Sequence, residues 1–141
     1  MSSPSRILIV DDEPMNLILL EGLLEDYFAV QTMESAQEAI DVCLAEPLSI
    51  DLIVSDVMMP GMSGYELCQA LRSHAQTQSI PVLLVSSLDS DAAVNEGLQA
   101  GASDLLHKPY SPELMVKRVS NLVHMSKMAR LIKQAGIAMP A

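Results

Sequence analysis

The sequence predicts an α/β domain built on a doubly wound, five-stranded parallel sheet with helices on both faces. Short apolar runs recur along the chain, and stretches with helical spacing of apolar residues separate them. Several of these runs lack polar alternation, which is typical of strands buried on both faces. Strands that alternate with helices in this way indicate parallel pairing through crossover connections.

The first two strands and the helix between them lie in residues 7–32. Strand one is Ile7–Val10, which stops at an acidic stretch. Pro14 suits the first turn of the next helix because its missing N–H would be unpaired there in any case. Five apolar residues then keep helical spacing to about Tyr27, namely Met15, Ile18, Leu19, Leu23 and Leu24. Phe28–Thr32 is strand two, with a weaker pattern.

The middle of the chain supplies the third strand. Ser35 and Glu38 predict a capping box at the start of the second helix. In such a box the serine side chain accepts a hydrogen bond from the glutamate N–H, and the glutamate side chain accepts one from the serine N–H. Leu52–Val54 is strand three. The glycines Gly61 and Gly64 mark the loop after it, and a third helix follows.

The second half repeats this alternation. Pro81–Val85 is strand four, and a helix from about Asp91 is closed by Gly97 or Gly101. Asp104–His107 is a short fifth strand. Ser111 is expected to cap the last helix, with Pro112 at its first position.

Composition limits the classes of protein that the chain can represent. Its 141 residues suit one domain, and half of them are apolar, which is enough for a substantial core. There are 18 acids against 8 bases, which argues against direct binding of nucleic acid or an anionic membrane. The charges are unevenly placed, because all but one of the acids precede residue 113 and five of the bases follow it.

Cysteine usage and hydropathy indicate a cytoplasmic protein. Cys43 and Cys68 lie among apolar residues, and neither a disulfide framework nor a Cys/His metal motif is expected. No signal peptide is apparent before strand one, and the apolar stretches are too short to span a membrane.

Polar side chains stand at the carboxyl ends of four of the five predicted strands. They are Asp11 and Asp12 after strand one, Asp56 after strand three, Ser86 after strand four and Lys108 after strand five. Ligands of open α/β sheets bind outside the carboxyl ends of the strands. A flavodoxin-like strand order, 2-1-3-4-5, would bring these groups together and leave strand two at an edge, as its lack of such a residue suggests.

Three clustered carboxylates require a cation or a raised pKa. Each pair at 4 Å repels by about 4 kcal/mol at an effective dielectric constant near 20. The ligands are hard oxygens, so Mg²⁺ suits them better than Zn²⁺. No glycine-rich nucleotide-binding loop of the GxxxxGK[ST] type is present, so a phosphate would come from another molecule, with a carboxylate as its natural acceptor.

These residues resemble the receiver domain of bacterial two-component response regulators, over roughly residues 5–125. Five motifs occur in the family's order: Asp11-Asp12 after the first strand, Asp56 to Gly64, Ser86-Ser87, Gly101 to Asp104, and Lys108-Pro109-Tyr110. Each motif alone is weak, whereas the five together are specific.

The resemblance implies a role for each site residue. Asp56 would accept the phosphoryl group from a phosphohistidine of a sensor histidine kinase or phosphotransfer protein, or from acetyl phosphate. Asp12 would bind Mg²⁺ directly and Asp11 mainly through water, while Asp56 and the Met58 carbonyl would complete the protein ligands. Lys108, before a cis bond to Pro109, would pair with the phosphoryl oxygens. Ser86, with Ser87 beside it, would contact the phosphate after a switch.

One position departs from the family. An aromatic residue usually stands three residues before the lysine and moves inward with the serine or threonine, but here that residue is Leu105. The aromatic part of the switch is therefore in question, although phosphoacceptance is not. Met58 and Leu88 are both apolar, and we expect them to shield the phosphate and prolong the phosphorylated state.

The leading hypothesis is a signalling module rather than an enzyme. Phosphorylation would change the face formed by the fourth helix, the fifth strand and the fifth helix, which would then bind a partner, a second copy of the chain, or an output domain beyond the C-terminus. A phosphatase of the haloacid-dehalogenase type, which also uses an aspartyl nucleophile, would carry a second aspartate where Met58 stands. The intact set of site residues argues against a degenerate binding scaffold. Residues 126–141 form a basic tail. Leu122, Met125, Ala129 and Ile132 keep 3-4-3 spacing, which would suit an extension of the last helix into a coiled coil or signalling linker, and the alternative is a frayed basic helix.

Overall fold

Five parallel strands form one sheet in the order β2-β1-β3-β4-β5. This is the order and pairing that the sequence predicts. The computed structural model describes residues 4–88 and 90–136. The strands are β1 (Arg6–Val10), β2 (Ala29–Met33), β3 (Leu52–Asp56), β4 (Val82–Ser86) and β5 (Asp104–His107).

Across this described part of the chain, five helices connect and follow the strands. They are α1 (Pro14–Leu24), α2 (Ala36–Ala45), α3 (Gly64–Arg72), α4 (Asp91–Ala100) and α5 (Pro112–Gln134). Side chains along each central strand alternate between two apolar clusters, because successive residues of a strand point to opposite faces. One cluster packs β1, β3 and β4 against α2 and α3, and the other packs them against α1 and α5.

The first helix is shorter than predicted and buries a different face. It ends at Leu24 rather than near Tyr27, because the N–H groups of Tyr27 and Phe28 both bond back to the Leu24 carbonyl, at 3.0 and 3.1 Å, in a tight turn. The face buried in the core is Leu17, Leu20 and Leu24. Met15, Ile18 and Leu19 are instead 63%, 62% and 63% exposed, so α1 has apolar residues on both faces.

The helix caps confirm the predicted starts, with one difference. Ser35, Ser90 and Ser111 each accept a hydrogen bond from the N–H three residues later. The difference concerns the capping box predicted at Ser35 and Glu38, where the structure gives the bond from the Glu38 N–H to the Ser35 hydroxyl. A full box, with both reciprocal bonds, occurs instead at Ser63 and Glu66, at the start of α3.

Glycine geometry decides where α4 ends. Gly101 has φ +108°, a left-handed conformation that ends the helix, and it is the second of the two predicted positions. Gly97 lies within α4 instead, where its missing side chain leaves room for Leu105. The Lys108–Pro109 peptide bond is cis, as the resemblance implies.

The last helix runs without a break past residue 125. It continues to Gln134, and Gly136 follows with φ +73°. Arg130 on this helix donates to the Ile50 carbonyl at 2.8 Å and lies beside Asp51. The predicted tail, 126–141, therefore begins inside α5, and its residues 137–141 lie outside the described part of the chain. Among the described residues, none of the helices is both long and apolar enough to cross a membrane.

Candidate functional site

Three carboxylates meet at the carboxyl ends of β1 and β3. One ligand oxygen each from Asp11, Asp12 and Asp56 lies within 4.8 Å of the other two. The two strands are neighbours in the sheet, and the connections from them leave on opposite sides, to α1 and α3. This is the switch point of the sheet, where ligands of open α/β folds bind. The predicted acidic cluster is thus brought together by the strand order.

Asp11 is held in place by two neighbours. Its Oδ1 accepts the Glu13 N–H at 3.0 Å and its Oδ2 accepts the Asn16 side-chain N–H at 3.1 Å. Burial raises the pKa of Asp11, and the nearby negative charge of Asp56 raises it further. A divalent cation would offset both effects, so the electrostatics of the cluster are compatible with a metal site.

Lys108 reaches the same cluster from β5. Its ammonium Nζ lies 3.2 Å from Asp56 Oδ1, which also accepts the Val57 N–H at 3.0 Å. The Lys108 N–H donates to the Ser86 carbonyl at 2.8 Å and so ties the residue to the end of β4. The side chain of Asp56 is 12% exposed and that of Lys108 is 30% exposed, so the pair is shielded yet still reachable from solvent.

A cavity of about 520 Å³ opens beside this pair. Its lining includes Asp11, Asp56, Ser87 and Lys108 among apolar residues of α1 and the strands. Tyr110 lines it as well, and burial, followed by the charge of Asp11, raises the pKa of this phenol. The directly paired Lys108 and Asp56 therefore border a cavity rather than closely packed core.

Ser86 lies on the other face of the sheet. Asp56 follows Leu52 and Val54 in the alternation of β3, and therefore points towards α1 and α5. Ser86 follows Val82 and Leu84, which point towards α2 and α3. It is 4% exposed, and its Oγ accepts the Leu88 N–H at 2.9 Å. The two serines thus take different positions: Ser87 lines the cavity of Asp56, and Ser86 lies on the opposite face of the sheet.

Met58 and Leu88 lie in the loops that follow β3 and β4. Their side chains are 62% and 44% exposed, so neither is packed in the core. Leu105 on β5 is half-buried and packs against the cluster that contains α2 and α3.

Sequence reasoning assigned no role to three residues near the site. Asn16 and Tyr110 border the carboxylate cluster, and Tyr65 on α3 lies close to Ser86. Asn16 has a signal in the sequence, because an amide five residues after Asp11, in the first turn of a helix, returns to the end of the preceding strand. Tyr65 has none, since its position depends on how α3 packs against α4.

An open parallel sheet with three carboxylates and a lysine at its switch point defines a receiver-type α/β domain. The family model described as the response regulator receiver domain matches residues 7–120, and the chain belongs to this family.

Individual relatives agree with this assignment. Response regulator PleD of Caulobacter vibrioides is 40% identical over 119 residues, which is 84% of this chain and 26% of PleD, so the chain spans about a quarter of that relative. Protein PilH of Pseudomonas aeruginosa is 33% identical over 82% of this chain and 95% of PilH. The solved structure of chemotaxis protein CheY4 of Vibrio cholerae has a TM-score of 0.78 at 30% identity, covering 85% of this chain and 99% of CheY4.

Proposed function

We propose that this receiver domain is switched by phosphorylation of Asp56, with a phosphohistidine of a sensor histidine kinase or phosphotransfer protein as donor. The observation that supports it most directly is the 3.2 Å distance between Lys108 Nζ and Asp56 Oδ1, inside a cluster of three carboxylates. A lysine so placed balances charge on phosphoryl oxygens, and a carboxylate on a rigid strand is a positioned nucleophile.

The transfer itself requires little covalent chemistry from the protein. An oxygen of Asp56 forms a bond to phosphorus, the bond from phosphorus to the donor's histidine nitrogen breaks, and that nitrogen keeps the electron pair. Lys108 then lies beside the phosphoryl oxygens and offsets their charge. The Val57 N–H fixes the orientation of the carboxylate before the reaction.

Mg²⁺ is the cation we propose for the cluster. Asp11, Asp12 and Asp56 would hold it, with the Met58 carbonyl as a further ligand. All of these are hard oxygen donors, and none is a softer histidine or cysteine ligand. When bound, Mg²⁺ supplies positive charge that stabilises a phosphoryl group in transfer.

A patch of exposed apolar side chains beside the site favours a protein as the donor. Met15, Ile18 and Leu19 of α1 are each more than 60% exposed, and Leu19 also lines the cavity of Asp56. Contiguous exposed apolar surface is characteristic of sites that bind other proteins. We therefore infer that the donor docks on this face of α1.

The response to phosphorylation would pass through Ser86 and the face formed by α4, β5 and α5. Ser86 must turn from its buried position to reach a phosphate on Asp56, and this change alters the packing under that face. The altered face then binds a partner, a second copy of the chain, or an output domain. The alignment covers 95% of PilH but only 26% of PleD, so the relatives include proteins with little sequence beyond the receiver domain and proteins with much more.

Incubation with acetyl phosphate, with and without Mg²⁺, tests the proposal. We expect one phosphoryl adduct per chain in intact mass spectrometry, dependent on Mg²⁺ and absent in Asp56→Asn. Asp41→Asn is the matched control, because this carboxylate is exposed on α2 and pairs with Gln37. Release of many phosphates per chain would instead indicate a phosphatase, and the absence of any adduct would indicate a binding scaffold.

A further inference from the structure

The β5 position where the family usually carries an aromatic residue is closely packed around Leu105. A Cβ added to Gly97 would lie 2.8 Å from Leu105 Cδ2, so the leucine fills the space that the glycine leaves in α4. A leucine side chain has no hydrogen-bonding group and cannot link the switch to a polar partner. A polar link between Ser86 and α4 would therefore have to come from another residue.

Tyr65, on α3, lines the same small cavity as Leu105. A small cavity of about 140 Å³ separates α3, α4 and the ends of β4 and β5, and its lining includes Tyr65, Ser86 and Leu105. The Tyr65 hydroxyl donates to the Ala93 carbonyl in the first turn of α4, at 3.3 Å. Burial raises the pKa of Tyr65, and the charge of Glu96 raises it further, so the phenol stays protonated as a donor at neutral pH.

The start of α3 is in direct contact with the backbone of the phosphoacceptor. The Gly64 N–H donates to the Val57 carbonyl at 2.9 Å, and a Cβ at Gly64 would overlap the carbonyl oxygen of Asp56. Tyr65 is the next residue. Its hydroxyl therefore joins the loop after Asp56 to the first turn of α4, which Ser90 caps through the Ala93 N–H at 3.1 Å.

We propose that Tyr65 is the aromatic coupling residue of this domain and replaces the absent aromatic residue of β5. The inference rests on the proposed phosphorylation of Asp56. When Ser86 turns away from the shared cavity towards the phosphate, the cavity gains the volume of its hydroxyl group. The Tyr65 ring moves into that volume, its hydroxyl leaves the Ala93 carbonyl, and the first turn of α4 is released.

Amide hydrogen exchange of the full chain, measured by mass spectrometry before and after treatment with acetyl phosphate and Mg²⁺, tests this coupling. In the wild type we expect exchange in the first turns of α4 to rise by about two- to tenfold on phosphorylation, the effect of losing one hydrogen bond of ordinary strength. In Tyr65→Phe, α4 is expected to exchange at the raised rate already, with no further rise. Tyr27→Phe is the matched control, since Tyr27 is 63% exposed and far from α4, and it should behave as the wild type.

The adduct, quantified on the same samples, separates this inference from the proposed function. A phosphorylated Tyr65→Phe protein whose α4 responds as in the wild type overturns the coupling role and leaves the phosphoacceptor intact. A wild type without an adduct overturns both. Tyr65→Leu, which removes the ring as well as the hydroxyl, should match Tyr65→Phe in α4 exchange and still accept the phosphoryl group.

Discussion

The Arg130 guanidinium lies 2.7 Å from the carboxylate of Asp51, at the amino-terminal edge of the sheet. The Asp51 side chain is only 6% exposed, and its Oδ2 accepts the Arg6 N–H at 2.8 Å. Its Oδ1 accepts no hydrogen bond of good geometry from the described residues, so the charge of Arg130 is what balances it. The end of α5 is therefore attached to the strand that carries Asp56 at its other end.

Removal of Arg130 should destabilise the domain. Arg130→Ala leaves a buried carboxylate without its counter-charge, and we expect the free energy of unfolding to fall by about 1–3 kcal/mol in urea denaturation. Lys133→Ala is the matched control, an exposed base of the same helix, with an expected effect within about 0.5 kcal/mol. In a protein that already carries Asp51→Asn, Arg130→Ala should lower the free energy of unfolding by less, because the buried negative charge is no longer present.

The same pair tests where the domain ends. If residues 126–141 were only a tail, truncation after residue 125 would leave stability unchanged. Because Arg130 lies in that segment, we expect the truncated chain to lose at least as much stability as Arg130→Ala. Truncation after Gln134 keeps the pair and should preserve the stability of the full chain.

Replacement by alanine should change the stability of the domain in opposite directions at two helical glycines. At Gly64 a Cβ would overlap the Asp56 carbonyl oxygen and approach Leu84 Cδ2 to 3.0 Å, so Gly64→Ala must shift the start of α3. We expect a loss of more than about 2 kcal/mol and slower formation of the Asp56 adduct. A Cβ added at Gly22, in α1, would have no heavy atom of the described residues within 4 Å apart from the adjacent backbone of its own helix, and Gly22→Ala should stabilise by about 0.5–1 kcal/mol. Thermal denaturation of both variants gives the comparison, and equal effects would contradict it.

Much of this architecture is predictable because its signals are local. Apolar runs buried on both faces predict β1, β3 and β4, and Ser111 with Pro112 predicts the start of α5. The polar residues that end those runs then locate the acidic cluster, since parallel strands bring their carboxyl ends to one edge.

The remaining features depend on packing that no local pattern encodes. In α1 almost every position is apolar, so periodicity does not distinguish Leu17 and Leu20, which are buried, from Met15 and Ile18, which are exposed. The Tyr65 to Ala93 bond and the Arg130 to Asp51 pair join residues far apart in the chain. Such contacts follow from how helices pack, which single residues do not indicate.

Mg²⁺ should stabilise the folded chain through the carboxylate cluster. For a dissociation constant of about 1 mM, about 10 mM Mg²⁺ raises the free energy of unfolding by about 1.4 kcal/mol. In Asp12→Asn the gain should largely disappear, whereas Asp41→Asn should keep it. Na⁺ at matched ionic strength separates binding from screening. An equal gain in Asp12→Asn would show that the cation acts elsewhere.

The two buried thiols should make the domain less stable in mild alkali. Cys43 and Cys68 are both 0% exposed, and burial raises the pKa of each thiol from its ordinary value of 9.0 to about 11. Between these values the unfolded chain has released the thiol proton and the folded chain still holds it, so stability falls as pH rises. The loss should reach about 1 kcal/mol per thiol by about pH 10.

A double variant isolates this contribution from other groups that titrate in the same range. In Cys43→Ala with Cys68→Ala, stability at neutral pH falls because core volume is lost, but its decline from about pH 8 to about pH 10 should be shallower than in the wild type by about 2–3 kcal/mol. Urea denaturation at each pH under reducing conditions measures both curves. Parallel curves would mean that the thiols ionise as readily in the folded chain as in the unfolded one, which their burial in the core opposes.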